Sequence, residues 1–126
     1  MLKGVNIMDN IQDRMRIIQE LVPGKQITIA HIIANPDEVL YQKLGLDPAK
    51  NHSGAIGIVT MSPSETAIIA GDIAIKTSGA ELGFVDRFSG TLIVTGTVSE
   101  VQESLTAVCD YCEQKLGFSV CGITKT

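Results

Sequence analysis

The chain has 126 residues and a net charge of −4, with 44% hydrophobic, 19% charged and 4% aromatic residues and no tryptophan. That length suits one domain whose core needs no disulfide or metal, and an acidic balance without a basic run argues against nucleic acid or an anionic membrane as partner. The low charged fraction leaves uncharged surface for burial against other chains, and no apolar stretch reaches the roughly 20 residues of a membrane span.

The opening MLKGVNIMDNIQDRMR lacks an apolar h-region and a small-residue cleavage site, so no signal peptide is expected. Three cysteines, an odd number without a secretion signal, point to reduced thiols and a cytoplasmic protein. Residues 1–13 are polar and irregular and are expected to form a flexible N-terminus ahead of a single domain spanning 14–126. RMRIIQELV (14–22) has strand character and stops at the turn pair Pro23-Gly24. QITIAHII (26–33) is rich in β-branched residues and reads as the next strand. It runs into a short helix over about 36–44, with Asn35 as its cap, Pro36 in the first helical position, Glu38 three residues after the cap and Gly45 closing it. A helix of two turns is marginal alone and must dock on something larger.

After a loop at 46–54, AIGIVTM (55–61) is a nearly unbroken apolar strand. Ser62-Pro63-Ser64-Glu65 has capping-box spacing and predicts a helix over 63–77, with Ala67, Ile68, Ile69, Ile73 and Ile75 as a wide buried stripe and Gly79 near its end. ELGFVDR (81–87) and TLIVTGTV (91–98) form a hairpin across FSG. Ser99 with Gln102 suggests a further box, opening a helix that runs to about 116 and buries Val101, Leu105, Val108, Cys109, Cys112 and Leu116. Gly117 ends it, and FSVCGIT (118–124) is the last strand. From residue 55 the order is βαββαβ, the ferredoxin-like pattern of an α+β domain with both helices on one face of an antiparallel sheet.

Little in this pattern resembles an active site. His31 falls in an apolar strand and reads as structural, while His52 lies in a polar loop and reads as solvated. Cys109 and Cys112 share a helix face, with Cys121 in the next strand. Three thiolates can gather a metal or an iron–sulfur cluster, but the pair coincides with the apolar stripe, where free cysteine behaves as a small core residue. The SPSE helix start can hold an anion, although simple capping accounts for it fully. DRFSG (86–90) has the make-up of a hairpin tip. No Ser-His-Asp set, paired carboxylates or phosphate-cradling glycine loop stands out. The residues therefore point to binding or assembly and not to catalysis. A ferredoxin-like regulatory trimer with a ligand pocket between subunits is one alternative, and a cysteine-based redox or metal protein is the other.

AIGIVTMSPSETAIIAGDIAIKTSGAELGFVDRFSGTLIVTGTV resembles the bacterial microcompartment (BMC) shell domain. VPGKQ, FVDRFSG and ITKT, in this order, narrow the resemblance to circularly permuted members of ethanolamine- and propanediol-utilization compartments, or a choline-utilization counterpart. IAHIIANPDEVLYQKLG then looks like the strand and short helix that ordinary shell domains carry at the C-terminus, moved to the front. Such a move keeps the fold because chain ends lie close together at the surface.

The resemblance implies a non-enzymatic homohexameric tile without cofactor, packing edge to edge with other shell proteins around encapsulated enzymes. It places Lys76 and Asp72 at the tile edge. Asn35 stands where ordinary members often carry an edge arginine, and an amide cannot make the forked contacts of a guanidinium. Arg87, Phe88, Ser89 and Gly90 match the segment lining the central pore, which the bulk of Phe88 narrows. In permuted relatives the strand before VPGKQ joins a six-stranded barrel over the pore. Here that strand is about Arg14–Val22, with Arg16, Ile17, Ile18, Gln19 and Glu20 at its centre. Six closed strands fill their interior with side chains, so a capped or gated pore is expected. Gly54, just before the first strand of the shell domain, is a candidate hinge through which the hexamer bends.

Overall fold

The computed structural model describes residues 24–46 and 54–126. The strand expected at 14–22, with the barrel residues Arg16, Ile17, Ile18, Gln19 and Glu20, lies outside the described residues, as does His52. Among the described residues nine elements follow one another: β1 (Gln26–Ile33), α1 (Glu38–Lys43), β2 (Ala55–Ser62), α2 (Thr66–Thr77), β3 (Glu81–Asp86), β4 (Thr91–Gly96), α3 (Val98–Leu116), β5 (Ser119–Val120) and β6 (Thr124–Lys125).

The strands form a single sheet in the order β3-β4-β2-β1-β5, with β6 further along β1. The βαββαβ order from residue 55 holds, but β1 takes the place beside β2 that a plain ferredoxin-like unit gives to its last strand. The C-terminal strand is thereby displaced outwards, and the sheet is mixed: β1, β2, β4 and β3 alternate antiparallel, while β5 and β6 run parallel to β1. The single strand expected over 118–124 is two short pieces. The break between them lies opposite Thr28–Ala30, the stretch of β1 that carries a bulge between Ile27 and Ile29. The bulge has a use: it lets Ile27 and Ala30, three residues apart, both enter the main core.

One face of the sheet is covered by α2 and α3. Ala55, Val59 and Met61 of β2 and Leu92 and Val94 of β4 meet Val101, Leu105, Val108, Cys109 and Cys112 of α3 there. The approach is close: a Cβ on Gly57 would stand 2.6 Å from Val101 and 2.8 Å from Leu105. Alternate residues of the same strands, Ile56, Ile58 and Ile93, point to the other face and pack with Leu46, Leu40 and Tyr41 from α1 and its exit. The short helix is thus stabilised by docking.

Three helix starts differ from the sequence reading. Asp37, not Asn35, caps α1, its carboxylate accepting the Val39 amide at 3.0 Å, and Gly45 closes the helix at φ +71°. The helix after β2 begins at Thr66 without a side-chain cap. Ser62 is still paired with Gln26 in the sheet, so its hydroxyl is not at the helix start, and the amides of Thr66, Ala67 and Ile68 bond instead to the carbonyls of Pro63, Ser64 and Glu65. Thr97 and Glu100, not Ser99 and Gln102, form the capping box of α3: Glu100 N–H donates to Thr97 Oγ1 at 3.1 Å and Thr97 N–H to Glu100 Oε1 at 2.9 Å. Both pairs have the right spacing; β4 ends at Gly96, and Thr97 comes first.

The buried stripe of α2 is the largest correction. Its buried positions are Thr66, Ala67, Ala70, Gly71 and Ala74, whereas Ile68, Ile69 and Ile75 face outwards. A helix lying this close to sheet and helix neighbours needs small residues at the contact. Gly71 shows the spacing, since a Cβ there would sit 3.7 Å from both Leu82 and Leu92.

Candidate functional site

The β3–β4 turn gathers four of the residues singled out from sequence, and a fifth residue builds it. The Asp86 carboxylate accepts the Phe88 amide at 2.9 Å and the Ser89 hydroxyl at 2.9 Å, while Gly90 N–H returns to the Asp86 carbonyl at 2.9 Å. These bonds to the ionised form hold the Asp86 carboxyl below its ordinary range, the Phe88 amide contributing most. Asp86 was part of the DRFSG tip, but nothing in the sequence assigned it this task; an Asp two residues before the amide it accepts is the signal.

Gly90 adopts φ +76°, and a Cβ there would come within 2.2 Å of the Met61 carbonyl. Met61 N–H in turn donates to the Gly90 carbonyl at 2.9 Å. The turn is therefore pinned at one end by a carboxylate and at the other by β2. It presents Phe88, 79% exposed, with the Arg87 guanidinium 4.8 Å from its ring centre.

The other candidates are spread over the fold. Lys76 and Asp72 pair at 2.8 Å on the outer side of α2, and the partnership raises the Lys76 pKa. Asn35 is exposed in the connection between β1 and α1. Gly54 enters β2 where a Cβ would stand 2.4 Å from the Gly96 carbonyl, and its own carbonyl accepts the Tyr41 hydroxyl. A glycine is needed there for the close approach of two backbones, and Tyr41 ties α1 to the same point.

The cysteines fall among core residues. Cys109 and Cys112 are buried in α3, and Cys121 packs against the same cluster. Burial foremost, with the neighbouring thiols and acidic side chains, pushes Cys109 up to about 11, and burial raises Cys112. Thiols held protonated in this way are poor nucleophiles and poor metal ligands. Among the described residues no group of three or more His, Cys, Asp or Glu side chains has a metal-binding arrangement. His31 bridges β1 to the C-terminal segment, with Thr124 Oγ1 2.6 Å from Nδ1 and Thr126 Oγ1 3.0 Å from Nε2.

Outside the turn, the surface is notable for its apolar content. β3 is the outermost strand of the sheet, and Leu82, Phe84 and Val85 along it are exposed. Together with the outward isoleucines of α2, they are the exposed large apolar side chains of these two elements among the described residues.

Comparison with known proteins gives a consistent picture. Residues 55–123 match the BMC domain. The chain is 48% identical over 114 residues to the bacterial microcompartment shell protein EutS of Escherichia coli K12, covering 90% of this chain and 99% of the relative. Among solved structures, a CutR flat hexamer superposes with a TM-score of 0.77 at 48% identity, covering 83% of this chain and 94% of that one. A CutR screw with a 33.8 Å pitch superposes at 0.74 with 46% identity, over 81% of this chain and all of that one.

Proposed function

The chain belongs to the BMC-domain family, and from that premise we propose that it is a structural shell protein of a bacterial microcompartment, assembling into homohexameric tiles around encapsulated enzymes. The observation that carries the reading is the apolar outer strand beside the turn. A sheet edge with Leu82, Phe84 and Val85 exposed is a hazard for a free chain and an asset in a closed ring, where each copy covers the next. The protein is then a building element of a cytoplasmic shell, with other shell proteins as neighbours and no chemistry of its own.

In the ring, the turns Arg87–Gly90 surround the central opening. Their pinned geometry presents six Phe88 rings in a fixed way, which narrows the passage. The N-terminal residues Arg16, Ile17, Ile18, Gln19 and Glu20 form the capping barrel in this proposal. Their chain joins the fold at Gly24, next to Gln26, which pairs with Ser62, while the neighbouring Met61 is bonded to Gly90. That route starts at the turn end of the sheet, which supports a cap over the opening. Lys76, Asp72 and Asn35 are the tile-edge residues of the proposal. Gly54 is the hinge, at the junction of the permuted front with the shell domain; a relative that exists both as a flat hexamer and as a screw supports the idea that such tiles bend. A Gly54→Val chain that still gave bent assemblies would remove the hinge.

Light scattering on the eluting protein tests the ring. Six chains of 13.4 kDa give about 80 kDa for a closed cyclic tile. A monomer or trimer would overturn the shell reading.

A further inference from the structure

All three cysteines of the chain are free, and a shell tile uses none of them. They gather at one place. Cys109 and Cys112 face inwards one turn apart on α3, and Cys121 reaches the same core cluster from the break between β5 and β6. Burial is the largest influence on Cys109; the Cys121 thiol comes next, ahead of Cys112 on its own helix. A thiol from another element thus acts on Cys109 more strongly than one a single turn away, as it does when the two lie side by side. The three differ in access. Cys109 and Cys112 are buried, whereas Cys121 is half-buried. Its segment is also lightly held: β5 and β6 have two residues each, and the Cys121 N–H donates to the Ile27 carbonyl at 3.2 Å. Short pieces at a sheet edge open locally at low free-energy cost, so a small oxidant reaches Cys121 first.

We infer that Cys121 and Cys109 are a modification site for hydroperoxides: the half-buried Cys121 is oxidised, and Cys109 resolves it into a disulfide that staples α3 to the C-terminal strands. In the first step the Cys121 sulfur attacks the outer oxygen of the peroxide. The O–O bond breaks, the sulfur becomes a sulfenic acid, and an alcohol leaves, or water when the oxidant is hydrogen peroxide. In the second step Cys109 Sγ attacks the Cys121 sulfur. The S–S bond forms, the S–O bond breaks, and the hydroxyl departs with the Cys109 proton as water. Two thiols lose two electrons and the peroxide gains them. Cys109 is a slow nucleophile in its protonated form, but the attack takes place inside one packed cluster, where proximity compensates. Because β5 and β6 flank β1, the bond fixes the strand of the permuted front between β2 and a segment tied covalently to α3. The inference concerns a single chain and is independent of whether six chains close into a ring.

The test treats the purified protein with a small excess of hydrogen peroxide, counts free thiols after unfolding, and maps the cross-linked peptides by mass spectrometry. The wild type is expected to fall from three free thiols to one, with a Cys109–Cys121 link inside one chain and all three thiols restored by dithiothreitol. Cys121→Ser is expected to keep both of its thiols, because the buried pair is out of reach. Cys112→Ser is expected to form the same link as the wild type. A wild type that keeps three thiols overturns the inference. So does a link between Cys109 and Cys112, a link between two chains, or a Cys121 that passes on to sulfinic acid without finding a partner. The wild-type map decides the matter even where a variant fails to fold.

Discussion

Asp86 is the residue on which the proposed pore lining depends most directly. Its carboxylate holds the Phe88 amide and the Ser89 hydroxyl, and these bonds exist in full only while it is ionised. Its folded pKa is lowered, so its stabilising effect is present above the ordinary carboxylate value of about 4 and is lost as pH falls through the lower folded value. Asp86→Asn keeps the shape and removes the charge. Thermal midpoints against pH are expected to show the wild type above this variant at neutral pH, with the two converging in acid. A constant gap down to the most acidic point would show that the carboxylate charge is irrelevant. The turn was legible from DRFSG as a tip. The role of Asp86 was not, because one Asp before a turn reads alike whether its side chain bends back or faces water.

At the scale of elements, helix ends and faces were read unequally well. Periodicity placed Val101, Leu105, Val108, Cys109, Cys112 and Leu116 inwards on α3; the first five are buried, and Leu116, at the helix end, is partly buried against the same core. The long helix has one wet side, and its pattern records that. Its start was misplaced by two residues because two boxes compete, and the end of β4 decides between them. Thr97→Ala is expected to cost about 1 kcal/mol, measured as the urea midpoint at fixed protein concentration, while Ser99→Ala leaves the midpoint unchanged. Equal losses from both would mean that the helix start is shared between the two residues. On α2 the same periodicity misled. Isoleucine at 68, 69 and 75 scores as core in any one-chain reading, but the buried positions of the helix are taken by small residues, Thr66, Ala67, Ala70, Gly71 and Ala74.

At the scale of the molecule, the question is where the leftover apolar surface goes. β3 closes one side of the sheet with Phe84 43% exposed, and ring closure is the proposed answer. Phe84→Asp places a carboxylate on that outer strand, where burial against a neighbour would leave it unpaired. The expected outcome is a shift of mass from about 80 kDa towards a single chain, with the far-ultraviolet circular dichroism retained. A variant still at the hexamer mass would clear β3 of any part in the ring. The sequence by itself determined the α+β order of the elements from residue 55 and the apolar face of α3, because hydrophobic period, glycine positions and turn residues are local properties, and its quoted motifs carried the resemblance to the BMC domain. Only the tertiary structure decided that β1 sits between β2 and the C-terminal strands, which cap is used at each helix, and that the isoleucines of α2 face outwards. Those outcomes depend on which surfaces lie within a few ångströms of each other, and that distance is set by the packed chain as a whole.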